Sequence, residues 1–424
     1  MSLVQHSPHQ EFPGYFNSPW PCEDAGPRRM QATAGFEWPE NAKLRLTTRR
    51  TQLSTMLLLG EPGEVFLLHH SAFRSKLGFA TTSCVERIDP ITLKTIFKSP
   101  RLPGGPMWPG GFAIHASGDI IVVYGNHAHR LNRQCELKAS FKLPEADPYN
   151  SFIVLDNGLV VTKNLSRTNK ARLSILHPLT LQPVAPVLVC PEPSIARLSA
   201  VGNTVYVAGM NHVYRATWNE AEGELQFDRG WQPDYMQGCS NTHGWDMVLT
   251  GSHAWLMDNG HHRYLYSMKR AGVANTANRL IRVSLNDPDQ VNAWPVCGLK
   301  GGSVTNPPLV SPKHNIVLAY DSANSVLQAF KIQSDDSLAP LWNKAPFGCA
   351  SHMVLMNNPD VVWINDYRRF TEEVVALNIH TGDELGRVKT PGHMQGVVFP
   401  CIGWNRDIYW PSMDRLSRIQ VEGS

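Results

Sequence analysis

Net charge of either sign is almost missing. Lys and Arg total 39 and Asp and Glu 36 across 424 residues, leaving +3. So small a surplus cannot sustain binding by phosphate neutralisation, and no nucleic-acid partner is expected. Long apolar runs are missing too. Nothing approaches the roughly 20 residues of a membrane span, so no membrane partner is expected either. The opening residues, MSLVQHSPHQEFPGYFNSPWP, show no basic stretch followed by an apolar core. They do not read as a secretory signal, and the expectation is a soluble, cytoplasmic protein. The eight cysteines include no CxxC or CxxH pair, which argues for free thiols and against structural zinc. Charged residues are few, at 18%, but hydrophobic residues reach 42%. That is enough apolar surface to offset chain entropy, and it excludes disorder as the main state. Turn and aromatic residues are plentiful, with Gly 32, Pro 31 and Trp 12, a balance closer to all-β proteins than to helical bundles.

One pattern recurs along the chain: a small or polar residue, an apolar run, a Gly, Pro or Asn turn, then a β-branched or aromatic run. It appears in STMLLLGEPGEVFLLH from Ser54, GGFAIHASGDIIVVYG from Gly110, YNSFIVLDNGLVVTKN from Tyr149 and PSIARLSAVGNTVYVAG from Pro193. HGWDMVLTGSHAWLMD from His243, TNPPLVSPKHNIVLAYD from Thr305, SHMVLMNNPDVVWIND from Ser351 and QGVVFPCIGWNRDIYW from Gln395 continue it. The register points are Ser54, Gly110, Asn150, Ser194, His243, Asn306, His352 and Gln395, at intervals of about 49 residues, the length of a four-stranded meander. The fold expected is all-β: a single β-propeller of eight four-stranded blades, with seven as the alternative. The last repeat has three strands before the chain ends at Ser424. Ala42–Arg49 is expected to supply its outer strand, against Leu416–Val421, closing the ring. Residues 1–41 read as a Pro-rich irregular segment, disordered or draped over a ring of residues 42–424.

The repeats resemble known families. IVLAYDSANSVLQAF, from Ile316, resembles the strand–Asp–Asn–strand signature of NHL and lactonase-like propeller repeats. VERIDPITLKTIFKS, from Val85, and VVALNIHTGDELGRV, from Val374, are similar to the third and fourth strands of quinoprotein-like blades. These resemblances imply the propeller fold. The lactonase-like one also implies a divalent cation, such as calcium, near Asp321 and Asn324. Neither the repeated tryptophan-docking pattern of quinoprotein dehydrogenases nor a vicinal cysteine pair is present, so pyrroloquinoline quinone is not expected.

In an up-and-down meander, the loop entering strand one and the loop from strand two to strand three share a face. The long excursions, Ser71–Ala80, the stretch from Ser99 to Gly111, and Asn259–Asn278, all fall there, and long loops on a regular scaffold usually carry function. On this entry face the register points form a polar collar suited to a small molecule. His243, His352 and His393 are the candidate catalytic residues, as proton-transfer groups, and the candidate ligands of a divalent transition metal, since neutral imidazole suits zinc, copper or iron. Asn150, Glu192, Arg197, Asp246, Asn306 and Gln395 are the candidate ligand-binding residues. Glu192 either acts as a base or caps its turn. His127, His129, His261, His262, Tyr367 and Arg368 adjoin the same loops. His115, His177, His253, His314 and His380 fall on the opposite face. Asn126, Asn164, Asp258, Asp321 and Asp366 read as Asx-type turn caps. Arg197 and Asp246 occupy matching positions in adjacent first strands and should pair, because either alone in a buried strand is costly.

Two functions fit this pattern. One is an enzyme (hydrolase, lyase or oxidoreductase) acting on a small molecule with the channel histidines, metal-assisted or not. The other is a non-catalytic propeller that binds a protein or ligand on its entry face.

Overall fold

In the computed structural model, residues 12–71, 79–106, 110–264 and 266–423 are described. Parts of two entry-face loops, residues 72–78 and 107–109, lie outside them, as does the side chain of Asn150. The described residues form strands throughout, with a single 3-10 turn at Glu23–Ala25. None of their helices is long and apolar enough to cross a membrane.

The strands follow from local chemistry. In blade 2, for example, Gly118 takes φ +86° in the tight turn between Gly111–Ile114 and Ile120–Tyr124. A Cβ there would strain the backbone, whereas the flanking β-branched residues suit a pleated surface.

Among the described residues, the hydrogen bonding resolves into eight antiparallel four-stranded meanders. Five are separate sheets, and a sixth gains a short parallel strand, Ala32–Thr33. The last two share one 17-residue strand, Lys43–Leu59. Its first half pairs with Met413–Glu422, Leu44 opposite Val421 and Arg49 opposite Leu416, and its second half pairs with Val65–His70. One strand is therefore the outer strand of the last meander and the first strand of the first, which leaves no open edge between them. The chain is a β-propeller. Blades 1 to 8 have first strands in the second half of Lys43–Leu59, then Gly111–Ile114, Tyr149–Val154, Ser199–Val201, Val248–Leu249, Leu309–Ser311, Val354–Met356 and Cys401–Ile402. First strands are buried and fourth strands, such as Thr95–Lys98, are exposed, so the apolar cores lie between neighbouring blades around the channel.

Residues 12–41 are largely irregular, yet they run across the channel on the face opposite the entry loops. Their carbonyls accept backbone N–H groups from the first strands of blades 1, 2, 4, 5 and 7: Trp20 from Leu59 (2.9 Å), Pro21 from Ile114 (2.8 Å), Pro27 from Ala200 (2.9 Å), Arg28 from Leu249 (2.9 Å) and Gln31 from Leu355 (2.7 Å). Amides at the ends of short inner strands need acceptors, and the segment supplies them. Trp20, Cys22 and Phe36 are buried with it.

Candidate functional site

The segment brings its own charges into the channel. Arg29 Nη1 lies 3.1 Å from Glu23 Oε2 and 2.9 Å from Asp24 Oδ2. Arg197 Nε lies 2.9 Å from the same Glu23 oxygen, its Nη1 is 3.6 Å from Asp246 Oδ2, and its guanidinium stands 4.3 Å from the centre of the Phe399 ring. Asp24 Oδ1 lies 2.7 Å from His352 Nδ1. All of these groups are buried. Burial lifts the Glu23 carboxyl to about 7 although Arg29 and Arg197 both pull it down. For Asp24 burial works upward as well, but His352 and Arg29 outweigh it and hold the carboxyl below its usual value. Lys163, buried on the same channel with its Nζ 3.1 Å from the Ser194 carbonyl, is brought down by burial to about 7. The channel is thus occupied by a network that neutralises itself, and Arg197 and Asp246 are parts of it rather than free ligand contacts.

The three imidazoles expected to converge do not gather. His393 is exposed, and its carbonyl accepts the Tyr367 hydroxyl at 2.6 Å. His352 pairs with Asp24 and lies against Phe399, ring centroids 3.9 Å apart. His243 is buried, its Nδ1 3.1 Å from the Gly244 carbonyl, and burial brings it down to about 3. An imidazole held neutral at that value is a weak base at neutral pH. His261 and Trp245 flank His243, and His262 lies beyond Trp245. Gly260 closes over the pair, since a Cβ there would come within 2.2 Å of His243 Cε1. Among the described residues, the donor atoms of His243, His352 and His393 do not form a three-ligand group.

Most of the collar serves neighbouring backbone. Glu192 Oε2 accepts the Asn211 amide at 2.7 Å and its Oε1 meets His212 Nδ1 at 2.6 Å. Burial raises this carboxyl, but those bonds outweigh it and leave the pKa lowered, so Glu192 caps its turn. Asn306 Nδ2 donates to the Ala350 carbonyl (2.7 Å). Gln395 donates to the Gly348 carbonyl (2.7 Å) and accepts the Met268 amide (2.6 Å), anchoring the long blade 5 loop. Of the expected turn caps, Asp321 accepts the Asn324 amide within its own turn, whereas Asp258, Asp366 and Asn164 accept the amides of Arg279, Gly348 and Arg172 on other segments, and Asn126 Oδ1 accepts no hydrogen bond. The Asp321 oxygens are taken by Ser303, Asn324 and Cys297, which leaves no open ligand face for the calcium implied by the lactonase resemblance.

The open space on the entry face lies elsewhere. A cleft of about 850 Å³ is bounded by the blade 5 loop (Tyr266, Ser267, Lys269, Arg270), the blade 7 turn from Asp366 to Thr371, and Lys389. Its carboxylates are spent. Asp366 Oδ2 lies 2.6 Å from Arg368 Nε and 2.9 Å from Arg387, which also holds Glu373 at 2.6 Å. Lys269, Arg270, Arg369 and Lys389 have no carboxylate partner among the described residues. At the rim the Tyr266 and Phe370 rings pack 5.0 Å apart, and Phe370 is 61% exposed.

Arg369 and Phe370 form a two-residue hairpin turn between the paired residues Arg368 and Thr371, with φ +48° and +64°. Such turns favour Asn-Gly, because side chains with a Cβ pay about 1–2 kcal/mol each in the left-handed region. An Arg-Phe pair there is held at a conformational cost. The sequence reading reached Tyr367 and Arg368 but missed Arg369, Phe370, Lys269, Arg270 and Lys389. The available signal was RRF in a turn where other blades carry Gly, Asn or Asp.

No family model matches the chain, and no curated protein sequence matches it. Solved propellers do. A quinohemoprotein alcohol dehydrogenase, ADHIIG of Pseudomonas putida HK5, aligns over 97% of this chain and 81% of its own, at 9% identity and TM-score 0.65. BamB of Moraxella catarrhalis aligns over 89% and 100%, at 12% identity and TM-score 0.56. The Dos1 propeller aligns over 88% and 94%, at 7% identity and TM-score 0.56. At these identities the likeness establishes the β-propeller fold and not an activity.

Proposed function

We propose that this propeller binds a small anion with an aromatic or flat apolar body, held in the entry-face cleft between blades 5 and 7. The strained Arg369–Phe370 turn carries the reading. It sets a guanidinium and an exposed ring at the rim of a cleft whose other cations, Lys269, Arg270 and Lys389, have no carboxylate partner among the described residues. The volume suits a drug-sized ligand, and Phe370 with Tyr266 offers a stacking surface. A catalytic role for His243, His352 and His393 lacks comparable support, because the three stand apart and the channel is filled from within.

The test is calorimetric titration of the full chain with aryl carboxylates, aryl phosphates and their neutral amide analogues. Binding of an anionic aryl compound that weakens with salt and falls at least about tenfold in Arg369→Glu supports the reading, since one ionic contact is worth roughly that factor. Equal affinity for the neutral analogues, no binding at millimolar concentration, or an unaffected variant would overturn it.

A further inference from the structure

The face opposite the cleft carries a second constellation. His314 sits in the turn between the first two strands of blade 6. Asp360 and His380 sit in two turns of blade 7, after Val354–Met356 and after Thr371–Asn378. These turns meet. His314 Nε2 lies 3.1 Å from Asp360 Oδ1, His380 Nε2 lies 3.3 Å from Asp360 Oδ2, and the imidazole centroids are 4.9 Å apart with planes at 82°. All three donor atoms lie within 4.8 Å of one another.

We propose that His314, Asp360 and His380 form a three-ligand site for a divalent transition metal, zinc by its donor set, which ties blade 6 to blade 7. Two donors each about 2.0–2.1 Å from a tetrahedral ion stand roughly 3.3–3.4 Å apart. The His380 separation, 3.3 Å to Oδ2, equals that edge length, and the His314 separation, 3.1 Å to Oδ1, is slightly shorter. The orientation of His314 points the same way. It is 8% exposed, and its Nε2 makes no hydrogen bond even though the carboxylate is 3.1 Å away. The His314 ring nitrogen is thus buried beside the carboxylate without a hydrogen bond, whereas His380 Nε2 does hydrogen-bond to Asp360 Oδ2 at 3.3 Å. The His380 backbone is pinned by its amide bond to Asn378 Oδ1 (2.8 Å). The competitor is the Lys313 ammonium, 3.4 Å from Asp360 Oδ1. Its side chain is half exposed, so an arriving dication can displace it.

The experiment uses full-length protein stripped with a chelator and titrated with Co²⁺ followed by Zn²⁺, read by the cobalt d–d spectrum and by competition with a chromophoric chelator. The proposal expects one equivalent bound, displacement of cobalt by zinc, and tighter binding in Lys313→Ala. The exposed His380→Ala tests the site without disturbing the core. Loss of a direct ligand should exceed the roughly 10–100-fold that outer partners are worth. Weak or absent cobalt uptake by the wild-type chain, or uptake unchanged in His380→Ala, overturns the proposal.

Discussion

Asp246 Oδ1 accepts the backbone N–H of Arg197 at 2.6 Å while its Oδ2 faces the same residue's guanidinium at 3.6 Å. One carboxylate thus joins the first strands of two neighbouring blades through main chain and side chain at once. Asp246→Ala removes both contacts and leaves the buried Arg197 with Glu23 alone. Unfolding in urea should show a loss of about 3–5 kcal/mol, the usual cost of breaking a buried pair. Asp246→Asn, which keeps an acceptor for the amide, should lose less.

Arg29 links the N-terminal segment to the ring, donating to Ser151 Oγ (3.1 Å) and to the Leu198 carbonyl (2.8 Å) besides its two carboxylates. Arg29→Ala should destabilise by about 3–5 kcal/mol, because it breaks two buried ion pairs and leaves Glu23 to Arg197 and Asp24 to His352. Limited proteolysis should then cut first within residues 12–41. A variant whose first cuts fall inside the blades would contradict this placement.

The Arg369–Phe370 turn predicts a trade between stability and binding. Replacing the pair with Asn-Gly should raise stability by about 1–2 kcal/mol, since both positions have positive φ. The same variant should lose the anionic aryl ligand. Thermal melts and calorimetry on one preparation measure both. A gain in stability with binding intact would show the turn to be a fold feature only.

Acid should destabilise the protein between about pH 6.5 and 4. Burial brings His70 and His129 to about 4 and His243 to about 3, so the fold holds them neutral. Below pH 6.5 the unfolded chain takes up protons that the fold does not. Their stabilisation is complete above 6.5 and is lost as pH falls, at up to about 1.4 kcal/mol per pH unit for each ring. Glu23 works in the opposite sense: raised to about 7, it favours the fold at low pH, and that contribution fades as pH rises through 7. His129→Gln should flatten the acid limb by about one proton, read from urea midpoints between pH 4.5 and 7.5.

The candidate site was much less legible than the scaffold. The Arg197–Asp246 pairing could be foreseen because both residues break an apolar column at the same register position. The cleft could not, because its cations come from three loops far apart in sequence. Nor could the placement of His352 against Asp24, which depends on where an irregular segment comes to rest.

By itself the sequence determined the repeat, its four-stranded unit and the closure of the ring by Ala42–Arg49 against Leu416–Val421. Strand pairing is written in local alternation and turn residues, and a one-residue slip would turn every side chain to the wrong face. The tertiary structure alone decided that residues 12–41 seal and charge the channel, that His243, His352 and His393 stand apart, and that His314, Asp360 and His380 meet. Those outcomes depend on the rotation of one blade against the next and on an irregular segment following amides left free at the ends of inner strands. Neither carries a period along the chain.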